Sequence, residues 1–353
     1  MALPINRWNW KQALLNGVET PEALSEILSI DAAGLKPVAD VYPMRINAYF
    51  LDTMLRVGEP LIRQVVPDPA ELDDPEGLED PLAEEANSPV PHLTHRYPDR
   101  VLFCLTHACA IYCRFCTRKR KVGRGRIVTV RDIENGIRYI RATPQVRDVL
   151  LSGGDPFMLD DERIEWILRK IKEIPHVEVI RIGTRIPSAL PARITPALIR
   201  ILKKIRPLFI NLHFNHPAEI TEEAERACRS LADSGAVLGN QTVLLRGIND
   251  NGEELTRLFR RLIQLRVRPY YLLQGDLTRG TRHFRTRIET GLELMRRLRG
   301  HISGLAVPTY VIDLPRGGGK IPLVPQYVTK LDEKELIARN YLEDTYHYPQ
   351  SGS

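Results

Sequence analysis

From Arg100 onward, apolar runs of strand length alternate with amphipathic helical stretches, and no other feature of the chain restricts its fold so severely. Strands are predicted at 101–105, 148–151, 177–182, 208–213, 237–245 and 269–273. In the second crossover, Ile164, Ile167, Leu168 and Ile171 fall at i, i+3, i+4 and i+7, and Leu255, Leu258, Phe259 and Leu262 repeat that spacing in the fifth. The fourth crossover helix is expected to start after Thr221, a good N-cap followed by Glu222 and Glu223, and to stop near Gly235. Six βα units in succession require a parallel sheet with right-handed crossovers. Such a sheet is either an open doubly wound layer or a curved partial barrel. Periodicity does not separate the two, and both put function at the carboxyl ends of the strands.

Residues 1–99 form a different region. It has helical patterns up to about Gly58 and then a Pro- and acid-rich connector over 67–91 that reads as extended and exposed. After Ser303 come an apolar stretch (GLAVPTYVIDL), a glycine-rich turn and a polar tail, so the chain divides into 1–99, 100–300 and 301–353. A hydrophobic content of 43% fills a substantial core. No run approaches the roughly 18 apolar residues of a membrane span, and the amino end lacks the apolar core of a secretory signal, so a cytoplasmic protein without a membrane partner is expected. The net charge of +6 and the run RKRKVGRGR from Arg118 to Arg126 raise the question of nucleic acid. The run lacks interleaved aromatics, which makes a solvated face or an anion pocket the better reading.

Five cysteines are an odd and small number for a disulfide framework, and three of them are clustered. Cys109, Cys113 and Cys116 make C-x3-C-x2-C directly after the first predicted strand. Zinc normally takes a fourth nitrogen or sulfur, for which His107 is near in sequence. Three thiolates also suit a [4Fe-4S] cubane that keeps one iron open. Cys104, within the strand, and Cys228, on a helix, read as buried, inert thiols. One βα unit later stand Ser152, Gly153, Gly154 and Asp155, where glycine permits close backbone approach and the acid can accept from an ammonium group. Near the carboxyl end, Lys320 follows a glycine-rich loop in PRGGGK. It is either a solvated lysine on a flexible turn or an amine free to form a Schiff base with a carbonyl cofactor.

The cysteine spacing, with Phe115 before the last cysteine, resembles the signature of radical S-adenosylmethionine enzymes, and SGGD resembles the motif that holds the amino group of S-adenosylmethionine there. With THRYPDRVL, CRFCTRKR, LLSGGD, RIGTRIP, HFNHPAEIT, LGNQTVLLRGIND, VRPYYLLQGD and PRGGGK together, the chain resembles the lysine 2,3-aminomutase family from about Trp8 to Val328. The resemblance implies a partial (β/α)6 barrel of radical-enzyme type, with a helical N-terminal region and a C-terminal extension. It implies a [4Fe-4S] cluster on Cys109, Cys113 and Cys116, S-adenosylmethionine beside His213, Gln241 and SGGD, and pyridoxal phosphate on Lys320 with Arg96, Tyr97 and Arg100 nearby. Arg118 matches the arginine that pairs with the substrate carboxylate, a fork suited to a bidentate partner. Asp276 and Asp313 match two acids that grip the far ammonium group of lysine, although arginine would satisfy the same charges.

The implied activity is that of an isomerase, converting lysine to β-lysine by a radical 1,2-amino migration. An external electron donor and a homo-oligomer go with it. The chain departs from longer family members, which carry a zinc site involving a cysteine where Asn251 stands and a cysteine cluster in a carboxyl extension, so that zinc is not expected here. This leaves enzymes that make β-lysine for modifying elongation factor P as neighbours. From other classes, a radical enzyme acting on RNA or protein without pyridoxal phosphate and a zinc-binding interaction module are the alternatives.

Overall fold

A computed structural model of the protein describes residues 9–124 and 127–350. The N-terminal region folds as five short helices, α1 (Trp10–Leu15), α2 (Pro21–Leu28), α3 (Ala32–Val41), α4 (Ala48–Val57) and α5 (Glu59–Val65). Asn9, Thr20, Asp31 and Asn47 start the first four by accepting from orphan first-turn N–H groups, and Gly58 at φ +87° joins the last two.

The rest of the main body is one nine-stranded sheet in chain order: β1 (Leu93–Tyr97), β2 (Arg100–Cys104), β3 (Asp148–Ser152), β4 (Val179–Thr184), β5 (Leu208–Leu212), β6 (Val237–Val243), β7 (Val267–Leu273), β8 (Thr309–Leu314) and β9 (Gly319–Pro322). The six predicted strands are β2 to β7, all parallel. The apolar stretch after Ser303 supplies a seventh parallel strand, β8, while β1 and β9 run antiparallel at the two edges. Helices α6 (Val130–Ala142), α7 (Asp161–Lys172), α8 (Ile186–Ala189), α9 (Pro196–Leu202), α10 (Glu222–Asp233), α11 (Gly252–Gln264) and α12 (Ile288–Leu298) fill the crossovers. The apolar stripes read from the sequence on α7 and α11 are buried, and Thr221 caps α10 through the N–H of Ala224.

Sheet twist alone does not say whether such a sheet stays open, and side chains across its two edges decide the matter. The Tyr97 hydroxyl of β1 accepts from the backbone N–H of Lys320 in β9 at 2.9 Å, and Arg96 reaches Asp313 of β8 at 3.2 Å. The sheet therefore curls until its edges nearly meet, forming a partial barrel. A small antiparallel sheet of β10 (Val328–Leu331), β11 (Glu335–Arg339) and β12 (Thr345–Pro349) follows. Among the described residues no helix is long and apolar enough to cross a membrane.

The acidic connector differs from expectation. Glu71, Asp74 and Glu84 are buried, because each meets cations from distant segments, and a charge leaves water only when it is paired. Glu71 accepts from Arg114 at 2.8 and 2.6 Å and also from Lys119. Asp74 accepts from Arg285 at 2.7 Å and from the N–H groups of Thr281 and Arg282. Glu84 pairs with Arg118 at 2.6 Å. Arg120 and Lys121 pair with Asp80, Glu84 and Glu85 of the same connector. The cations from Arg118 to Lys121 are thus internal counterions to the connector and form no open basic face. Gly125 and Arg126, also part of that run, lie outside the described residues.

Replacing Glu71 by Ala strands two buried cations. It is expected to cost about 3–5 kcal/mol of stability, measured by denaturant unfolding, whereas Glu79→Ala, at an exposed pair, is expected to cost about 0–1 kcal/mol. Equal costs would show that the buried network does not hold the connector.

Candidate functional site

The loop carrying Cys109, Cys113 and Cys116 leaves the carboxyl end of β2 and is pinned from two sides. On the N-terminal side, the Asn47 amide donates to the Ala110 carbonyl at 3.1 Å, Tyr112 N–H bonds Arg45 O at 2.9 Å, and Arg114 N–H bonds Gln64 O at 2.9 Å. On the other side lies SGGD, at the end of β3. Gly154 N–H donates to Thr106 O at 2.6 Å, and Asp155 N–H to Ala108 O at 2.8 Å. Gly153 sits at φ +131°, and a Cβ there would lie 2.3 Å from Thr106 O; one on Gly154 would lie 2.2 Å from Ala108 O. Both glycines are thus required for the two loops to touch.

A cavity of about 270 Å³ is lined by the three cysteines, Ser152 to Asp155, His213 and Gln241. Burial pushes the thiols of Cys109 and Cys116 up, the latter to about 11, and their neighbouring cysteines raise both further. Two thiols whose ionisation is opposed in this way call for a positive centre beside them. Among the described residues no three His, Cys, Asp or Glu side chains are grouped to share one metal ion. The donor set fits a multi-iron cluster, with one thiolate per iron. Arg185 donates to the Cys113 sulfur at 2.7 Å. Cys104 and Cys228 are buried and do not line this cavity, although Cys104 stands beside Ser152 across β2 and β3. His213, held neutral by burial, bonds Asn215 at 3.1 Å and lies against the Phe115 ring.

Asp155 lines the cavity and is also fastened to the protein. Its carboxylate is taken by protein donors: the Thr184 hydroxyl at 2.8 Å, Arg185 N–H at 2.7 Å and Phe157 N–H at 3.0 Å. Burial still holds its pKa up, at about 6. The acid thereby fastens β3 to β4. Asn251 likewise has a local use as the N-cap of α11, accepting from the N–H groups of Glu253 and Glu254.

A second cavity of about 470 Å³ shares Arg118, Ser152, Gln241 and Asp276 with the first. Arg96, Tyr97, Arg100, Asp313 and Lys320 complete the set read from the sequence. The curl of the sheet brings these together, since they come from β1, β2, β8 and β9. Arg96 and Arg100 flank the Tyr97 ring at 4.9 Å, and the Lys320 amine is paired with Asp313. Asp276 is pushed up to about 7 by burial first and by Asp313 second. Arg118 lines both cavities, and its fork is already engaged by Glu84.

Sequence reasoning missed Arg181, Tyr270, Tyr271 and Glu84 on this wall. Alternation along β4 sends Arg181 and Gly183 to the same face, which was the available signal for the arginine. Glu84 had no local signal. Arginines 96, 100 and 181 with tyrosine hydroxyls suit a phosphate, and a lysine amine in the same cavity suits a carbonyl, so the residues present fit pyridoxal phosphate.

Comparison with known proteins agrees with this geometry. The family described as the radical SAM superfamily matches residues 103–259, and the one described as lysine-2,3-aminomutase matches 295–351. The L-lysine 2,3-aminomutase of Acetoanaerobium sticklandii is 48% identical over 95% of this chain and 83% of its own. That of Clostridium subterminale is 48% identical over 95% and 82%. The glutamate 2,3-aminomutase of Clostridioides difficile is 40% identical over 94% and 80%. Identity of this extent, carried by both the barrel and its C-terminal segment, shows that the chain belongs to the lysine 2,3-aminomutase family of radical S-adenosylmethionine enzymes.

Proposed function

We propose that this chain is an L-lysine 2,3-aminomutase, an isomerase that moves the amino group of lysine from C2 to C3 and yields β-lysine. One observation carries the choice of substrate. A single cavity joins a guanidinium, Arg118, to two carboxyl groups, buried Asp313 and half-buried Asp276, with Lys320 on the same wall. A glutamate side chain would meet like charge at the acidic end, which is costly where solvent is excluded. When bound, the cluster and S-adenosylmethionine supply a carbon radical from an electron delivered by an external donor, and pyridoxal phosphate supplies the π-system across which nitrogen migrates.

The chain's own work is to hold and to shield. Cys109, Cys113 and Cys116 hold the cluster, and Ser152, Gly153, Gly154, His213 and Gln241 form the wall for S-adenosylmethionine, with Asp155 fixing that wall from behind. Arg96, Tyr97 and Arg100 hold the phosphate beside Lys320. Arg118 holds the substrate carboxylate. Asp313 meets both Arg96 and the Lys320 amine in this structure, and the distal ammonium of the substrate would take the place of that amine once it is engaged. Exposed Leu331, Tyr346 and Tyr348 on the C-terminal sheet support a homo-oligomer, and five unpaired cysteines support a reducing, cytoplasmic setting.

Anaerobic reconstitution followed by amino-acid analysis, with lysine, arginine, glutamate and alanine supplied separately, tests the reading. β-Lysine from lysine is the expected product, and turnover of glutamate in preference to lysine would refute it.

Changing Cys109, Cys113 or Cys116 to Ala is expected to remove most reconstitutable iron and sulfide, while Cys104→Ala and Cys228→Ala retain them. Lys320→Ala is expected to keep the iron and to lose the pyridoxyl label that borohydride fixes in the parent protein. A label at Lys119 or Lys121 would show that the cofactor lysine is another.

Lysine binding is expected to tighten between pH 6 and 8. Below about pH 7 the raised Asp276 carboxyl is protonated and neutral, and above it the ionised form attracts the ammonium group. The gain is at most about tenfold per pH unit and levels off above the pKa. A KM for lysine that is flat over this range, or rises, would separate Asp276 from substrate recognition.

A further inference from the structure

Glu84 lies in the connector, outside every motif, yet its carboxylate is buried in the wall of the substrate cavity. It holds one edge of the Arg118 guanidinium. Arg118 Nε donates to Oε1 at 2.8 Å and Oε2 at 3.1 Å, and Nη2 donates to Oε1 at 2.6 Å. Nη1 is spent on Ser152 Oγ and Gly153 O, both at 3.2 Å. A guanidinium has five N–H groups in a fixed fork, so this pattern leaves a single N–H, on Nη2, for any further acceptor. Glu84 is itself anchored, with Arg120 at 3.6 Å and Lys121 at 3.7 Å from its second oxygen. It is a fixed support for the arginine, and it occupies the edge that a substrate carboxylate would otherwise grip with two bonds.

We propose that Glu84 is a positioning residue for the substrate: by holding the Nε–Nη2 edge of Arg118 it limits the arginine to an end-on, single-bond grip on the substrate α-carboxylate and so fixes the direction in which the substrate chain runs toward Asp276 and Asp313. The inference rests on the lysine reading above. A grip through one N–H supplies less binding than a bidentate fork but leaves one orientation. Freeing the edge would give a tighter pair in a rotated pose, with C3 displaced from the reacting groups. A misplacement of about 1 Å is worth on the order of a hundredfold in rate.

The test uses the anaerobically reconstituted full-length protein. Glu84→Gln keeps the size of the side chain and removes the charge. It is expected to bind labelled lysine in equilibrium dialysis as tightly as the parent or tighter, with kcat lowered at least tenfold and iron content unchanged. In a double-mutant cycle, Glu84→Gln combined with Arg118→Lys is expected to be no slower than Arg118→Lys alone, since the glutamate acts only through the arginine. Glu84→Ala serves as the second variant. Weaker lysine binding in Glu84→Gln, a kcat within twofold of the parent, or additive effects in the cycle would each overturn the proposal. Failure of the lysine reading shows separately, as a parent protein that neither binds nor turns over lysine.

Discussion

Ion pairs between the acidic connector and the cysteine loop govern this molecule. The loop buries Ala110, Ile111 and Phe115, yet its thiols must face a cavity. It is held by backbone bonds to the N-terminal region and to SGGD, and by charges: Arg114 and Lys119 on Glu71, and Arg118 on Glu84. These partners lie on both sides of the third cysteine, so the connector grips the loop around the thiols it presents. Breaking one such pair leaves an unpaired buried charge, which costs more than the pair itself contributes. That asymmetry makes the arrangement specific even where its net stabilisation is small.

The same segment joins the barrel's two edges. Pro81 O accepts from Arg316 N–H at 2.7 Å, in the turn just before Lys320, while Glu84 holds Arg118. The proposed cofactor lysine and the proposed substrate arginine therefore share one support, although they stand about as far apart in the sequence as the barrel allows. Curling of the sheet does the rest, since it sets Arg96 and Tyr97 of the first edge against Asp313 and Lys320 of the last. Had the sheet stayed open, these residues would lie at opposite ends of it.

What the sequence disclosed and what it hid divide along one physical line. Strands β2 to β7, the buried stripes of α7 and α11 and the Thr221 cap depend on spacing within a few residues, and local periodicity reports them. The cysteines, SGGD and Lys320 were visible as residue types in a pattern. The connector was misread as solvated because its composition is that of a linker, and its burial depends on partners at 34 to 211 positions away in the chain. That Thr184 and Arg185 donate to Asp155 was hidden for the same reason: it is a fact about β3 lying beside β4, and no local pattern carries it.

Charge balance explains how one cavity receives a zwitterion with a second ammonium group. Arg118 is compensated by Glu84, so its end is close to neutral before substrate enters and takes a carboxylate by direction more than by excess charge. The opposite end is different. Asp276 and Asp313 repel each other, and Lys320 with Arg96 offsets part of that repulsion while the Lys320 amine is charged. On the proposed reading, engagement of that amine by a cofactor would take this counterion from the two acids, and a second ammonium group could restore it. The acidic end would then take a cation best when the lysine beside it is occupied, which would tie recognition of the substrate's far end to readiness at its near end.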